Sequence, residues 1–268
     1  MKPFRVLDPN VPNPDANGLC ALAVMTKAPQ AGRVKTRLVP PLTAQEAAEL
    51  NKCFLRDTAA AISQSCSGSL RPRSAAGELL NPGGYRAPLQ SCGIAVYTPV
   101  GAESAYTDVL PATFILLPQR GDTFGERLYL AVQDLFRCGF DSVCLIDSDS
   151  PTVPAENFAQ AVELLSTSAD RVVLGPSDDG GYYLIGVKKP HRHLFEEIDW
   201  STERVRDQTI ERASQIGLHV TLLPAGYDVD DDISLRRLSK ELLDDKAPGD
   251  IAPYTREFLA SFVTHKNL

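Results

Sequence analysis

The sequence predicts an α/β domain: three layers, α/β/α, around a mainly parallel sheet. Three observations predict it. Short apolar runs of strand length alternate with segments of helical period along the chain. The first run, LCALAVM at residues 19–25, is apolar throughout, as expected of a strand buried on both faces. Charged, turn-forming clusters follow several of these runs directly, and in open sheets ligands bind beyond the carboxyl ends of the strands.

The elements follow in order. Residues 1–18, MKPFRVLDPNVPNPDANG, are polar and proline-rich and read as a flexible arm. After the strand at 19–25, a helix starts near residue 43, where Thr43 and Glu46 have capping-box spacing and Leu50, Phe54 and Ile62 share a face. Residues 66–91 are rich in Gly, Pro and Ser, without a period, and read as a surface insertion. Strands follow at 93–98 (GIAVYT) and 113–117 (TFILL). A helix near Thr123 is again signalled by capping-box spacing, to Glu126, with Leu128, Val132 and Leu135 inward. SVCLI at 142–146 is a strand, and the helix after it starts near Pro154. RVVLG (171–175) and YYLIGV (182–187) are strands joined by a turn. A helix at 203–216, the strand HVTLL (219–223), a helix at 233–243 and a last helix in PYTREFLASFV complete the pattern.

The 268 residues carry a net charge of −7, which argues against general nucleic-acid binding while leaving room for a local basic pocket. No apolar run reaches the ~18 residues of a membrane helix, and no signal-peptide pattern opens the chain. The six cysteines form no C-x-x-C pair and read as reduced, mostly buried thiols of a cytoplasmic protein. No G-x-G-x-x-G, P-loop or G-x-S-x-G is present, so dinucleotide oxidoreductases, P-loop NTPases and typical serine hydrolases lose ground.

Four segments carry candidate chemistry. TKAPQAGRVKTRL (26–38) concentrates Lys27, Arg33, Lys35 and Arg37. With the chain extended, the last three would point to one side, and Gly32 would let the backbone approach a ligand. Such a cluster suits a di- or triphosphate; the alternative is a solvated basic loop. In IDSDSP (146–151), Asp147 and Asp149 can share one side of an extended segment and reach one Mg²⁺ or Mn²⁺, or they can belong to an ordinary turn before a helix. GPSDDGGYYLIG (175–186) offers Asp178 and Asp179 beside Gly180 and Gly181, in what is at least a hairpin turn. YDVDDD (227–232) repeats the alternating carboxylates, with Asp228 or Asp230 available to a metal and Asp231 or Asp232 a natural helix cap. The sole tryptophan, Trp200, lies in DWST just before a helix, as a core or lid aromatic or a ligand platform.

Taken together and in order, MTKAPQAGRVKTRL, GDTFGERL, LIDSDSPTVP, GPSDDGGYYLIG, DWST and YDVDDD resemble a bacterial family of glycosyltransferase-A-fold proteins. That family is glycosyltransferase-like, related to phospholactate guanylyltransferase, and falls within the nucleotide-diphospho-sugar transferases; some members are linked to arsenosugar biosynthesis. The resemblance implies a single domain over residues 19–268 with a mixed, mainly parallel sheet, a nucleotide-binding half at about 19–150 and an acceptor half at about 151–245. It implies that Lys27, Gly32, Arg33, Lys35 and Arg37 meet nucleotide phosphates. Asp149, with Asp147 and Asp230, would hold Mg²⁺ or Mn²⁺. Lys35, Asp149 and Asp179 are the expected catalytic residues, and Gly180, Gly181 and Trp200 the acceptor region.

The leading expectation is therefore a metal-dependent sugar transferase using a nucleotide-diphosphate sugar and a small acceptor. One rival is a nucleotidyltransferase that joins a nucleotide from a nucleoside triphosphate to a phosphorylated acceptor and releases pyrophosphate. Another is a nucleotide-binding protein without turnover. The sequence sets neither the base, the sugar nor the oligomeric state.

Overall fold

The computed structural model describes residues 4–66, 90–244 and 248–266. Among them eight strands form one sheet: β1 (Arg5–Val6), β2 (Leu19–Lys27), β3 (Gln90–Thr98), β4 (Ile115–Pro118), β5 (Ser142–Ile146), β6 (Arg171–Pro176), β7 (Tyr182–Val187) and β8 (His219–Leu222). Their order across the sheet is β1-β4-β3-β2-β5-β7-β6-β8, and β7 runs antiparallel to its neighbours while every other pairing is parallel. The expected mixed, mainly parallel sheet is borne out.

The continuous apolar run of β2 has a simple cause. Leu19, Ala21 and Ala23 pack on one face of the sheet, and Cys20, Leu22 and Val24 on the other. Helix α2 (Phe124–Arg137) covers the first face through Leu128, Ala131, Val132 and Leu135. Helix α4 (Val205–Gln215) joins it there through Ala213. Helix α1 (Ala44–Ser65) covers the second face through Leu55, Ala59 and Ile62, beside Phe158, Ala161 and Leu165 of α3 (Ala155–Ser166). A third cluster joins the start of α1 (Leu50, Phe54) to α5 (Asp232–Leu242) and α6 (Pro253–Lys266).

Helix starts follow the capping chemistry. The Thr43 hydroxyl accepts from the Glu46 amide, and the Glu46 carboxylate accepts from the Thr43 amide. Thr123 accepts from the Glu126 amide in the same way, but the Glu126 carboxylate reaches back to the Asp122 amide instead. Pro154 sits at the N-cap rather than in the first helical position.

The expectation of a flexible arm is corrected over residues 5–16. Arg5 and Val6 pair with Ile115 and Leu116, and Leu7 and Ala16 are buried. Two residues are too short a strand to leave a periodic signal among so many prolines. The surface insertion expected over 66–91 lies outside the described residues except at its ends, where Cys66 caps α1 and residues 90–91 already belong to β3. All six cysteines are free thiols, five of them buried. Burial pushes the Cys53 and Cys138 thiols up to about 11, so neither is a ready nucleophile. Among the described residues no helix is long and apolar enough to cross a membrane.

Candidate active site

Strand order reverses between β2 and β5, because the chain runs from β2 outward to β3 and β4 on one side and the later strands fill the other. Such a switch point opens a crevice at the strands' carboxyl ends. The basic loop leaves β2 there, and Asp147 and Asp149 leave β5 beside it.

The basic loop is not extended. It turns at Gly32 (φ +73°), and Lys35 itself adopts the left-handed conformation (φ 47°, ψ 39°) before a 3-10 turn over Thr36–Leu38. Left-handed backbone is costly for a residue with a Cβ, by about 1–2 kcal/mol, and persists only where the surroundings fix it. Here they do. The Lys35 ammonium donates to the Val229 carbonyl at 2.7 Å and lies 2.8 Å from Asp149 Oδ1 and 3.0 Å from Asp230 Oδ1. It also stands 5.3 Å above the Phe54 ring. Burial works against its charge, but the two carboxylates outweigh that and hold the pKa above the ordinary lysine value. The Val229 amide donates to the Asp149 carbonyl at 2.9 Å, so β5's loop and the 227–232 segment are stapled together around Lys35.

Lys27, Arg33, Lys35 and Arg37 line one pocket of about 290 Å³, with Asp149 and Asp230. The expected convergence of the four cations is present, although a turn rather than a strand produces it. Arg37 also grips Asp230 at 2.6 Å. Gly32 is needed for its backbone angle; a Cβ there would meet nothing within 4 Å.

The two aspartates of IDSDSP do not share one side. Asp147 Oδ1 accepts from the Asp149 amide at 3.3 Å and Asp147 Oδ2 from the Ser150 hydroxyl at 2.8 Å, so the segment bends as a turn. Asp149 faces the small basic pocket, whereas Asp147 faces a larger cleft of about 690 Å³. Desolvation, with the nearby charge of Asp149, pushes the Asp147 carboxyl up to about 8. Desolvation also raises Asp228, helped by Asp179 and Asp230.

The larger cleft is walled by Asp178 and Asp179 after β6, by Tyr227, Asp228, Asp230 and Asp231 after β8, and by aromatic side chains. Trp200 meets the exposed Phe124 edge-on, with ring centroids 5.0 Å apart. Of the expected acceptor residues, Gly181 and Trp200 line the cleft and Gly180 does not. Gly180 instead sits against residue 203, where a Cβ would lie 2.1 Å from the Glu203 carbonyl oxygen, and its φ is +89°. Gly180→Ala therefore forces the turn and the Trp200 segment apart. A lowered melting temperature and a shifted emission spectrum of the sole tryptophan are the expected result, checked by fluorescence-monitored unfolding.

Of the three residues expected at a metal ion, Asp149 and Asp230 line the basic pocket and Asp147 lines the larger cleft. Among the described residues no three of His, Cys, Asp or Glu are grouped so as to hold a metal ion. Asp147, Asp149 and Asp230 are not a ready cage, because the Lys35 ammonium lies against two of them and the turn directs the third into the neighbouring cleft. The all-oxygen donor set suits a hard divalent cation held by one or two carboxylates and completed by phosphate oxygens and water, which is the habit of Mg²⁺.

Several lining residues escaped the sequence reading. Ser148 and Asn51 line the basic pocket, and Phe124, Ile233 and Arg237 line the cleft. Phe124 and Ile233 are 56% and 79% exposed, and each is a first-turn residue of its helix.

Comparison with known proteins agrees with this architecture. A family model described as an uncharacterized protein conserved in bacteria (DUF2064) matches residues 89–202. A crystal structure of a proposed nucleotide-diphospho-sugar transferase from Desulfovibrio desulfuricans G20 superimposes with a TM-score of 0.71 and 25% identity, over 92% of this chain and 98% of that one. More distant likenesses include glucosyl-3-phosphoglycerate synthase from Mycobacterium tuberculosis in complex with Mn²⁺, UDP and glucosyl-3-phosphoglycerate (TM-score 0.45, 11% identity, 93% and 80% covered). Another is 4-diphosphocytidyl-2C-methyl-D-erythritol synthase (TM-score 0.48, 12% identity, 82% and 96% covered). No curated protein matches the sequence. The fold is of the glycosyltransferase-A type, and the resemblance to nucleotide-diphospho-sugar transferases is borne out.

Proposed function

We propose that the protein is a metal-dependent transferase that moves a sugar from a nucleotide-diphosphate sugar to a small hydroxylated acceptor bearing no phosphate. The likeness to the D. desulfuricans protein supports the transferase class. The division of charge between the two pockets carries the choice of reaction. The basic pocket has four cations against two carboxylates. The adjoining cleft has seven carboxyl groups against two cations, Arg37 and Arg237, and of the seven Asp147, pushed up to about 8, is largely neutral at pH 7. Both of those are already engaged, Arg37 by Asp230 and Arg237 by Asp178 at 2.7 Å. Asp147, Asp179 and Asp228 have no cationic partner among the described residues. Such a cleft repels a phosphorylated acceptor and accepts hydrogen bonds from hydroxyls, while Trp200 and Phe124 supply the apolar face a sugar-like molecule needs.

In this reading Lys27 and Arg33 neutralise the diphosphate, and Lys35 anchors Asp149 and Asp230 beside it. Asp149, with Asp230, would hold the divalent cation, whose contribution when bound is to stabilise charge on the departing nucleoside diphosphate. Asp179 takes the proton from the acceptor hydroxyl as its oxygen bonds to the sugar's anomeric carbon and the bond to the diphosphate breaks.

The test offers labelled nucleotide sugars with matched acceptors: glycerol against glycerol 3-phosphate, and methyl glucoside against glucose 6-phosphate. Nucleoside diphosphate release with label on the neutral members is expected. Release of pyrophosphate from nucleoside triphosphates, with transfer to the phosphorylated members, overturns the reading in favour of nucleotidyl transfer.

A further inference from the structure

Asn51 is polar where its helix is otherwise packed. Leu50 and Phe54 beside it on α1 are fully buried, and Asn51 is only 5% exposed. Its side chain lines the basic pocket, and its Oδ1 is buried without a hydrogen-bond partner among the described residues. Native proteins keep such atoms rare, because a buried polar group pays for its desolvation unless something bonds to it. Leucine would fill the same space without that penalty. The amide can also rotate, so that either its oxygen or its NH₂ meets the pocket. Its neighbours there are Lys27, Arg33 and Lys35, and Phe54, one turn along the same helix, lies beneath the Lys35 ammonium.

We infer that Asn51 is a ligand-binding residue of the basic pocket: with the amide turned over, its NH₂ stands where the unpartnered Oδ1 now lies and donates to a non-bridging phosphate oxygen of the nucleotide. The inference rests on the reading of this pocket as the diphosphate site. It assigns a binding role to helix α1, which no phosphate-loop motif contains.

The experiment uses inorganic pyrophosphate with Mg²⁺, a probe that does not depend on the base or sugar. Isothermal titration and ligand-free melting are compared for the wild type, Asn51→Leu, Asn51→Asp and Arg33→Ala. Asn51→Leu removes the polar atoms at nearly constant volume. Its ligand-free melting temperature should rise by about 2–4 °C, since the unsatisfied group is gone. Its pyrophosphate affinity should fall about tenfold or more, as expected for one hydrogen bond to a charged group. Asn51→Asp should bind more weakly still, with the deficit growing at low salt. A leucine variant that binds like the wild type overturns the assignment, as does one that is less stable than the wild type when ligand-free. If the wild type binds pyrophosphate and Arg33→Ala does not, the pocket reading stands whatever Asn51 does. If the wild type ignores pyrophosphate, both fail.

Discussion

Lys35→Ala is expected to weaken nucleotide binding strongly and to destabilise the protein. The ammonium is 4% exposed and holds Asp149 and Asp230 together. Its removal leaves Asp149 without a cation and Asp230 with Arg37 alone. Breaking a buried ion pair costs about 3–5 kcal/mol, and the carboxylates here are about one-third exposed, so a loss nearer 2 kcal/mol is expected. Affinity for a nucleoside diphosphate should fall about 100-fold, because a charge-assisted contact and the geometry of its neighbours go together. Divalent cation should now restore stability, since Asp149 is left without a cation beside an Asp230 that only Arg37 still holds. The melting temperature of Lys35→Ala should therefore rise more on adding Mn²⁺ than that of the wild type, measured without nucleotide. A variant that melts like the wild type and binds nucleotide normally would show that Lys35 neither pins the site nor serves the ligand.

Asp149→Asn should separate ion from phosphate. The amide is nearly isosteric, keeps the backbone bond to Val229 and removes one negative charge from Lys35. Charge on the phosphate pocket becomes more positive, so metal-free pyrophosphate binding should persist or tighten. Metal-enhanced binding should disappear, with turnover falling by about 100-fold or more, as for loss of a group that stabilises the leaving charge. Titration of nucleoside diphosphate with and without Mn²⁺ reads both effects. Unchanged metal enhancement would remove Asp149 from the ion site.

The sheet was readable because β2, β5 and β7 are buried on both faces and announce themselves as continuous apolar runs. Helix starts at Thr43 and Thr123 were readable because caps are local chemistry. The site was only partly readable. The four cations could be placed together, since they leave one strand end, but the left-handed Lys35 that folds them inward leaves no trace in residue type. Asp147 and Asp149 were expected side by side because alternation presumes an extended chain. The Asp147 carboxylate, bonding the Asp149 amide, bends it instead. Asp230 meets Asp149's pocket through a backbone bond between Val229 and Asp149, a contact across 80 residues that spacing cannot express. Asn51 was overlooked because the stripe Leu50–Phe54–Ile62 explains the helix without it; a polar residue next to that stripe was the available signal.

The central claim is that the cations of the β2 loop and the carboxylate of Asp149 meet one phosphorylated ligand at the sheet's switch point. Anomalous diffraction from crystals soaked with Mn²⁺ and a nucleoside diphosphate tests it most directly. The account predicts a manganese peak beside Asp149, with the diphosphate between that peak and Lys27 and Arg33. Phosphates seated among Asp179, Asp228 and Trp200, or a manganese peak remote from Asp149, would contradict it.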